Sequence, residues 1–296
     1  MTSPTSESTR TESVSRLAYE TLEPFHVLAY FNPGLGRAQE DTGLDGHAFY
    51  VGARGAPLGP CSPSVVTATF YNFKPELIAK SWATACNVGL EKVHERRNAM
   101  LDDSLREILG DAFDDALLDD LASRYTELAS RLPLSGRPLA AAWASVPAPD
   151  TPRLRLWQAI AVLREWRGDN HIAALVLNGL NGFDAAVFHE AQLPDPTVRR
   201  RVMGKRVVLL TRGHSDQDWE DSVDRLVEAG LAERVDDGPV GHRLTARGAA
   251  VYDDIEATTD AAGESVWAGS EELLERTRPI VKTVIEAGVL PGTRNR

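Results

Sequence analysis

Apolar side chains recur at helical spacing along most of this chain. Residues 16–30, RLAYETLEPFHVLAY, put Leu17, Leu22, Phe25 and Leu28 on one stripe, with Pro24 inside the pattern where a lost N–H kinks a helix. Residues 64–73 are apolar and β-branched and end in the cluster Phe70, Tyr71 and Phe73, a segment lining the core or a pocket. Residues 76–131 hold two charged-faced helical patterns broken near Gly110. Residues 154–166 predict an amphipathic helix with Leu156, Ile160 and Leu163 on one face. The polar insert Arg167-Gly168-Asp169-Asn170-His171 follows, then an apolar helix over 172–180 and a short one over 183–191. Residues 264–290 form a long amphipathic helical region carrying Leu273, Leu274, Ile280 and Val281.

The stretch from Ser215 to Asp260 has the fullest pattern. Ser215 with Asp218 three positions on is an N-cap signature ahead of Trp219, Val223, Leu226 and Val227, which share a buried helical face. Gly230 suits a left-handed C-cap. Residues 232–235 start a strand, Asp236-Asp237-Gly238 is a turn signal, and His242-Arg243-Leu244 returns antiparallel. Thr245-Ala246-Arg247-Gly248 opens another helix through Val251, Tyr252 and Ile255. The string DRLVEAGLAERVDDG…HRLTARGAAVYDDIE resembles the MarR-type winged helix. The expected fold class is therefore mainly α, with a winged helix-turn-helix in the C-terminal half and a helical N-terminal half packed on it.

Residues 132–152 contain five prolines and read as a connector, anchored by Leu139 and Trp143. The expected organisation is a disordered tail over 1–15, a helical domain over 16–150, and a winged-helix domain with C-terminal helices over 151–296. The 296 residues allow ample core. Two cysteines, Cys61 and Cys86, make neither a metal motif nor a disulfide framework, and the Ser/Thr/Glu-rich start lacks the apolar core of a signal peptide. No stretch reaches the ~20 apolar residues of a membrane span. The expectation is a cytoplasmic protein without membrane contact.

Charge then changes the reading of the recognition-like helix. It carries Asp216, Asp218, Glu220, Asp221, Asp224 and Glu228 against the single Arg225, and the whole chain has a formal charge of −11. A groove-reading helix needs donors to phosphates and bases, and duplex DNA carries about one negative charge per ~1.7 Å of axis. The same helix also reads as an ordinary solvated acidic face. The dense positive run is RRRVMGKR, with Arg199, Arg200, Arg201, Lys205 and Arg206 as candidate phosphate contacts.

Candidate chemistry lies elsewhere. His26, two residues after Pro24, can be an acid/base group or ligand at a kink, or a histidine bonded to a carbonyl. Arg54, between Gly52 and Gly55, reads as a guanidinium fixed on a Gly/Pro-rich loop to hold a carboxylate or phosphate, or as a partner of one of the many acids. Asp169 and His171 can pair, the carboxylate orienting the ring, or Asp169 can simply cap a helix. Tyr71 joins the substrate-binding candidates. No nucleotide fingerprint, nucleophile–base pair or closed zinc site is present, and a histidine-ligated metal or haem would have to use His26 or His171.

From about Arg16 to Pro291 the chain resembles an actinobacterial helix-turn-helix family of hypothetical or regulatory proteins, through LEPFHVLAYFNP, ARGAPLGP…VVTATFYNF, GRPLAAAW, LREWRGDNHIAAL and RGHSDQDWEDSVDRLVEAGL. It departs from that pattern at Trp166, where a His is usual, and at Gly34, where an acid is. The resemblance implies fold more than chemistry. The expected function is a small-molecule-binding protein or enzyme on a winged-helix scaffold, with His26 and His171 as acid/base or cofactor-ligand groups, Asp169 as orienter and Arg54 as anion anchor. The alternatives are a ligand-responsive DNA-binding regulator and a protein-interaction module. Terminal helices of this kind would also suit a homodimer interface.

Overall fold

Local chemistry sets where most helices begin. In the computed structural model, which describes residues 13–195, 197–198, 202–236, 238 and 240–293, the first helix α1 (Val14–Val27) starts on Ser13, whose hydroxyl accepts the Arg16 N–H. After α2 (Leu35–Thr42), the helix α3 (Gly46–Gly55) starts the same way on Asp45, which accepts from Ala48 at 2.8 Å. Proline opens α4 (Pro63–Phe70) and α5 (Pro75–Val88), since the first helical turn has no use for its missing N–H. Next come α6 (Leu90–Leu109), α7 (Asp115–Ser130), α8 (Pro138–Ala144) and α9 (Pro152–Leu177). The second half continues with α10 (Gly182–Glu190), α11 (Lys205–Arg212), α12 (Asp216–Glu228), strands β1 (Ala232–Arg234) and β2 (His242–Leu244), α13 (Ala246–Trp267) and α14 (Glu271–Glu286). On this evidence of element content the fold is mainly helical.

Helix α9 is the axis. Its first two-thirds are buried on every side, with Leu156, Trp157, Ile160, Leu163 and Trp166 in one large core shared with α1, α6, α7, α8 and α14. Burying each such side chain is worth roughly 1.5–3 kcal/mol. Its last turn carries Ala174 and Leu175 into a second core with Phe188, Trp219, Val223, Leu226, Leu244 and Ile255. Helix α13 runs between the same two cores, from Ile255 in the second to Trp267 in the first. The largest core thus draws on residues from both sides of the proline-rich connector, whose Leu139 and Trp143 are fully buried in it.

Strands β1 and β2 pair antiparallel, Ala232 opposite Leu244 and Arg234 opposite His242. Gly248 is needed where this hairpin closes on α13, because a Cβ there would lie 1.9 Å from the Leu231 carbonyl oxygen. Gly213, at φ 76°, makes the left-handed turn between α11 and α12. The predicted capping box forms, Ser215 and Asp218 each accepting the other's backbone N–H.

Several local expectations are corrected. Residues 154–166 and 172–177 are one continuous helix, because the polar insert between them finds partners on α1, α8 and α13 and has no reason to break. Arg54 sits on helix α3, whose cap at Asp45 and buried Phe49 and Val51 outweigh the loop-like glycines. Residues 76–131 hold three helices, the extra break falling at Gly89 with φ 100°. Val227 is exposed, whereas Trp219, Val223 and Leu226 are buried as the spacing predicts. Val14 and Ser15, placed in the expected tail, open α1; residues 1–12 of that tail lie outside the described residues. No single helix among the described residues is long and apolar enough to cross a membrane.

Candidate functional site

A cavity of about 220 Å³ opens between α1, α2, α3 and α6, walled by Tyr30, Leu35, Phe49, Tyr50, Arg54 and Arg97. Helix α3 supplies its part of this wall because Gly46, Phe49, Tyr50, Ala53 and Arg54 recur at spacings of three and four and so share one side of the helix. Arg54 reaches α9, where Nε and Nη2 donate to the two oxygens of Glu165 at 2.8 and 2.7 Å, and Nη1 donates to the Tyr50 hydroxyl at 3.2 Å. The Phe70 ring backs the guanidinium at 4.9 Å. Burial works against both charges, but each is more than offset by the other, so Arg54 is held above its ordinary range and Glu165 below its own.

His26 joins this cluster. Its Nε2 lies 3.3 Å from the Tyr30 hydroxyl, its ring stacks on Trp157, and its Nδ1 stands 3.9 Å from Glu23, beyond hydrogen-bond length. Tyr30 also faces Glu165 at 3.5 Å, and burial together with that carboxylate holds its phenol protonated well above the usual range. So the structure brings His26 and Arg54 into one polar group, linked by Tyr30 and Glu165, a convergence that the sequence left open.

Arg97, like Glu165, is a residue that the sequence reading missed. It is 3% exposed on α6, clamped between the rings of Trp143 and Trp157 at 4.7 and 4.6 Å. Its Nη2 donates to His94 Nδ1 at 3.2 Å, while its Nε has no hydrogen-bond partner. Among the described residues no carboxylate comes within ion-pair distance of it. Burial lowers its pKa to about 10, and burial followed by the Arg97 charge lowers His94 to about 4, so His94 is neutral and accepts. In sequence Arg97 stands in KVHERRNAM, indistinguishable from the solvated Arg96 beside it, and no local signal marks it.

The remaining candidates go elsewhere. Asp169 Oδ2 accepts the N–H groups of Leu139 and Ala140 at 3.1 and 2.9 Å, capping α8 across the core. Desolvation raises its pKa to about 6. It does not orient His171, because two residues apart on one continuous helix place the side chains on opposite faces. His171 Nδ1 meets the Thr259 hydroxyl at 3.1 Å and its Nε2 meets His189 Nε2 at 3.3 Å. Tyr71, at the strained φ of 39°, donates its hydroxyl to the Leu180 carbonyl and thereby ties α4 to the turn after α9.

The α11–α12 surface is dominated by internal ion pairs. Lys205 bonds Asp216 and Glu220 at 3.1 and 3.0 Å, Arg225 grips Asp184, and Arg234 from β1 reaches Glu220 and Asp224 at 2.8 and 2.7 Å. Arg206 is exposed; Arg199, Arg200 and Arg201 lie outside the described residues. The α11–α12 turn is fastened to the segment between α4 and α5, where Arg212 covers the Phe73 ring at 4.3 Å and Lys74 pairs with Asp218 at 2.8 Å. Phe73 in turn stacks on Tyr50, a wall of the cavity.

A family model described as a helix-turn-helix family matches residues 15–291. No curated protein and no solved structure matches the chain. With nearly the whole length inside that match, this chain belongs to the helix-turn-helix family.

Proposed function

We propose that this protein binds a small organic anion, best a carboxylate, in the cavity between α3 and α6, on a scaffold whose α10–α13 segment is a winged helix. The observation that carries the reading is Arg97. Desolvating a guanidinium without a counter-charge is costly, and two indole faces return only part of that cost. A carboxylate against Nε would supply the missing partner, while Tyr30, Phe49 and Tyr50 cover an apolar body. The reading assigns binding and no reaction, since His26, Tyr30 and Glu165 are already engaged with one another and with Arg54.

The test is thermal unfolding with benzoate, phenylacetate and butyrate against benzyl alcohol and benzylamine. A carboxylate at about 100 times its Kd adds ~2.7 kcal/mol of stability. Arg97→Met should keep the fold and abolish that gain. Equal shifts from the alcohols, or a gain retained in the variant, would overturn the assignment.

A second reading, a ligand-responsive DNA-binding regulator, draws support from the family and from the contact chain Tyr50–Phe73–Arg212, which joins the cavity to the helix-turn-helix turn. The acidic face of α12 stands against it. Anisotropy with a random labelled duplex at low salt separates the two: phosphate-driven binding with a steep salt slope favours the regulator, and its absence removes it.

A further inference from the structure

A second cavity of about 480 Å³ is bordered by His171, His189, Tyr252 and Glu256 together with three arginines. His171 comes from α9, His189 from α10 and Glu256 from α13, and one donor atom of each lies within 4.8 Å of the other two. We propose that these three residues form a binding site for a divalent transition-metal ion such as zinc or ferrous iron, with an open coordination position toward this cavity.

The geometry of the two imidazoles is the first argument. Their Nε2 atoms stand 3.3 Å apart. Two nitrogens bound at ~2.0–2.1 Å to one tetrahedral zinc lie ~3.3–3.4 Å apart, so an ion fits with little rearrangement. Hydrogen bonding behind His171 is the second. The Thr259 hydroxyl donates its proton to the Ile255 carbonyl at 2.7 Å, so its oxygen can only accept from His171 Nδ1 at 3.1 Å. That fixes the His171 tautomer with a proton on Nδ1 and a lone pair on Nε2, aimed at His189. An acceptor bonded to the far nitrogen of a ligand imidazole, fixing its tautomer and orientation in this way, is the usual companion of a metal site.

Glu256 completes the set. Its Oε2 takes the Arg16 guanidinium, while its Oε1 stands 3.9 Å from His171 Nδ1 and a carboxylate oxygen lies within 4.8 Å of the two imidazole donors. The nearby cations do not repel an incoming ion unopposed. Arg16 and Arg167 each hold Asp260 at 2.9 Å, and Arg164 holds Glu23 at 2.7 Å. Two imidazoles and one carboxylate with a vacant position select borderline ions over calcium or magnesium, which prefer oxygen. This site shares no residue with the cavity at Arg97.

The experiment is titration of the chelator-treated full-length protein with ZnCl₂ by calorimetry, and with CoCl₂ by visible absorption. One ion per chain is expected, with ligand-field bands of a low-coordinate histidine-bound cobalt. His171→Gln and His189→Gln should each weaken zinc by ~100-fold or more, and Thr259→Val, which keeps all three ligands, by ~10–100-fold. Arg97→Met should leave zinc affinity unchanged, which separates this site from the anion cavity. Substoichiometric zinc, or affinity unaltered in Thr259→Val and in whichever histidine variant folds by circular dichroism, would overturn the assignment.

Discussion

The cavity around Arg54 and Arg97 and the outer face of α11–α12 are both built from arginines and carboxylates, yet they differ in what is left over. Around the cavity, Arg54 and Glu165 cancel inside the core and Arg97 remains as an unmatched buried cation. On α12 the order is reversed: Lys205, Arg225 and Arg234 are consumed by acids, and a surplus of carboxylates stays in water. Charges in low dielectric interact many times more strongly than the same charges in solvent. The first region therefore has an unmet demand for an anion, and the second has none to offer a polyanion. The α11–α12 face is thus the less suited of the two to hold a negatively charged partner.

Breaking the buried side of this comparison should have the largest effect. Glu165→Gln leaves Arg54 without its counter-charge and should cost about 3–5 kcal/mol of stability, read from urea unfolding. A loss under about 1 kcal/mol would mean that this pair is as solvated as a surface one. Asp169 gives an intermediate test through pH. Its folded pKa, about 6, lies above the ordinary 3.8, so the folded chain binds more protons than the unfolded one between these values. Its contribution is therefore complete below pH 3.8 and is lost as pH rises through about 6, by on the order of 1–3 kcal/mol. Asp169→Asn, which cannot ionise, should flatten that slope in urea midpoints taken from pH 4 to 7; an unchanged slope would remove Asp169 as its source. The smallest effect belongs to the solvated face. Arg234→Ala breaks two exposed pairs and should shift stability by less than about 1 kcal/mol, fading with added salt.

Much of the architecture was readable along the chain because it depends on near neighbours. The Ser215–Asp218 capping box, the left-handed Gly230, the β1–β2 hairpin and the burial of Trp219, Val223 and Leu226 all follow from spacings within a dozen residues. The same local reasoning failed at the RGDNH insert. A run of polar residues resembles a break until one sees that Arg167 meets Asp260, Asp169 meets α8 and His171 meets Thr259. His26 and Arg54 were recognisable as polar groups in apolar surroundings, but Glu165, which bonds Arg54 directly and His26 only by way of Tyr30, lies more than a hundred positions away from either.

By itself, then, the sequence determined the helical character, the order of α12, the hairpin and α13, and the acidity of α12, since period, caps and charge are properties of contiguous residues. Only the tertiary structure decided which arginine is buried without a counter-charge and which histidines face each other. Arg96 and Arg97 are adjacent in the chain, yet one pairs with Asp41 near solvent and the other lies between two indoles. His171 and His189 come together through the sharp turn between α9 and α10, and Glu256 reaches them from α13. Desolvation and convergence arise from the packing of distant segments, and no residue pattern carries them before the chain has folded.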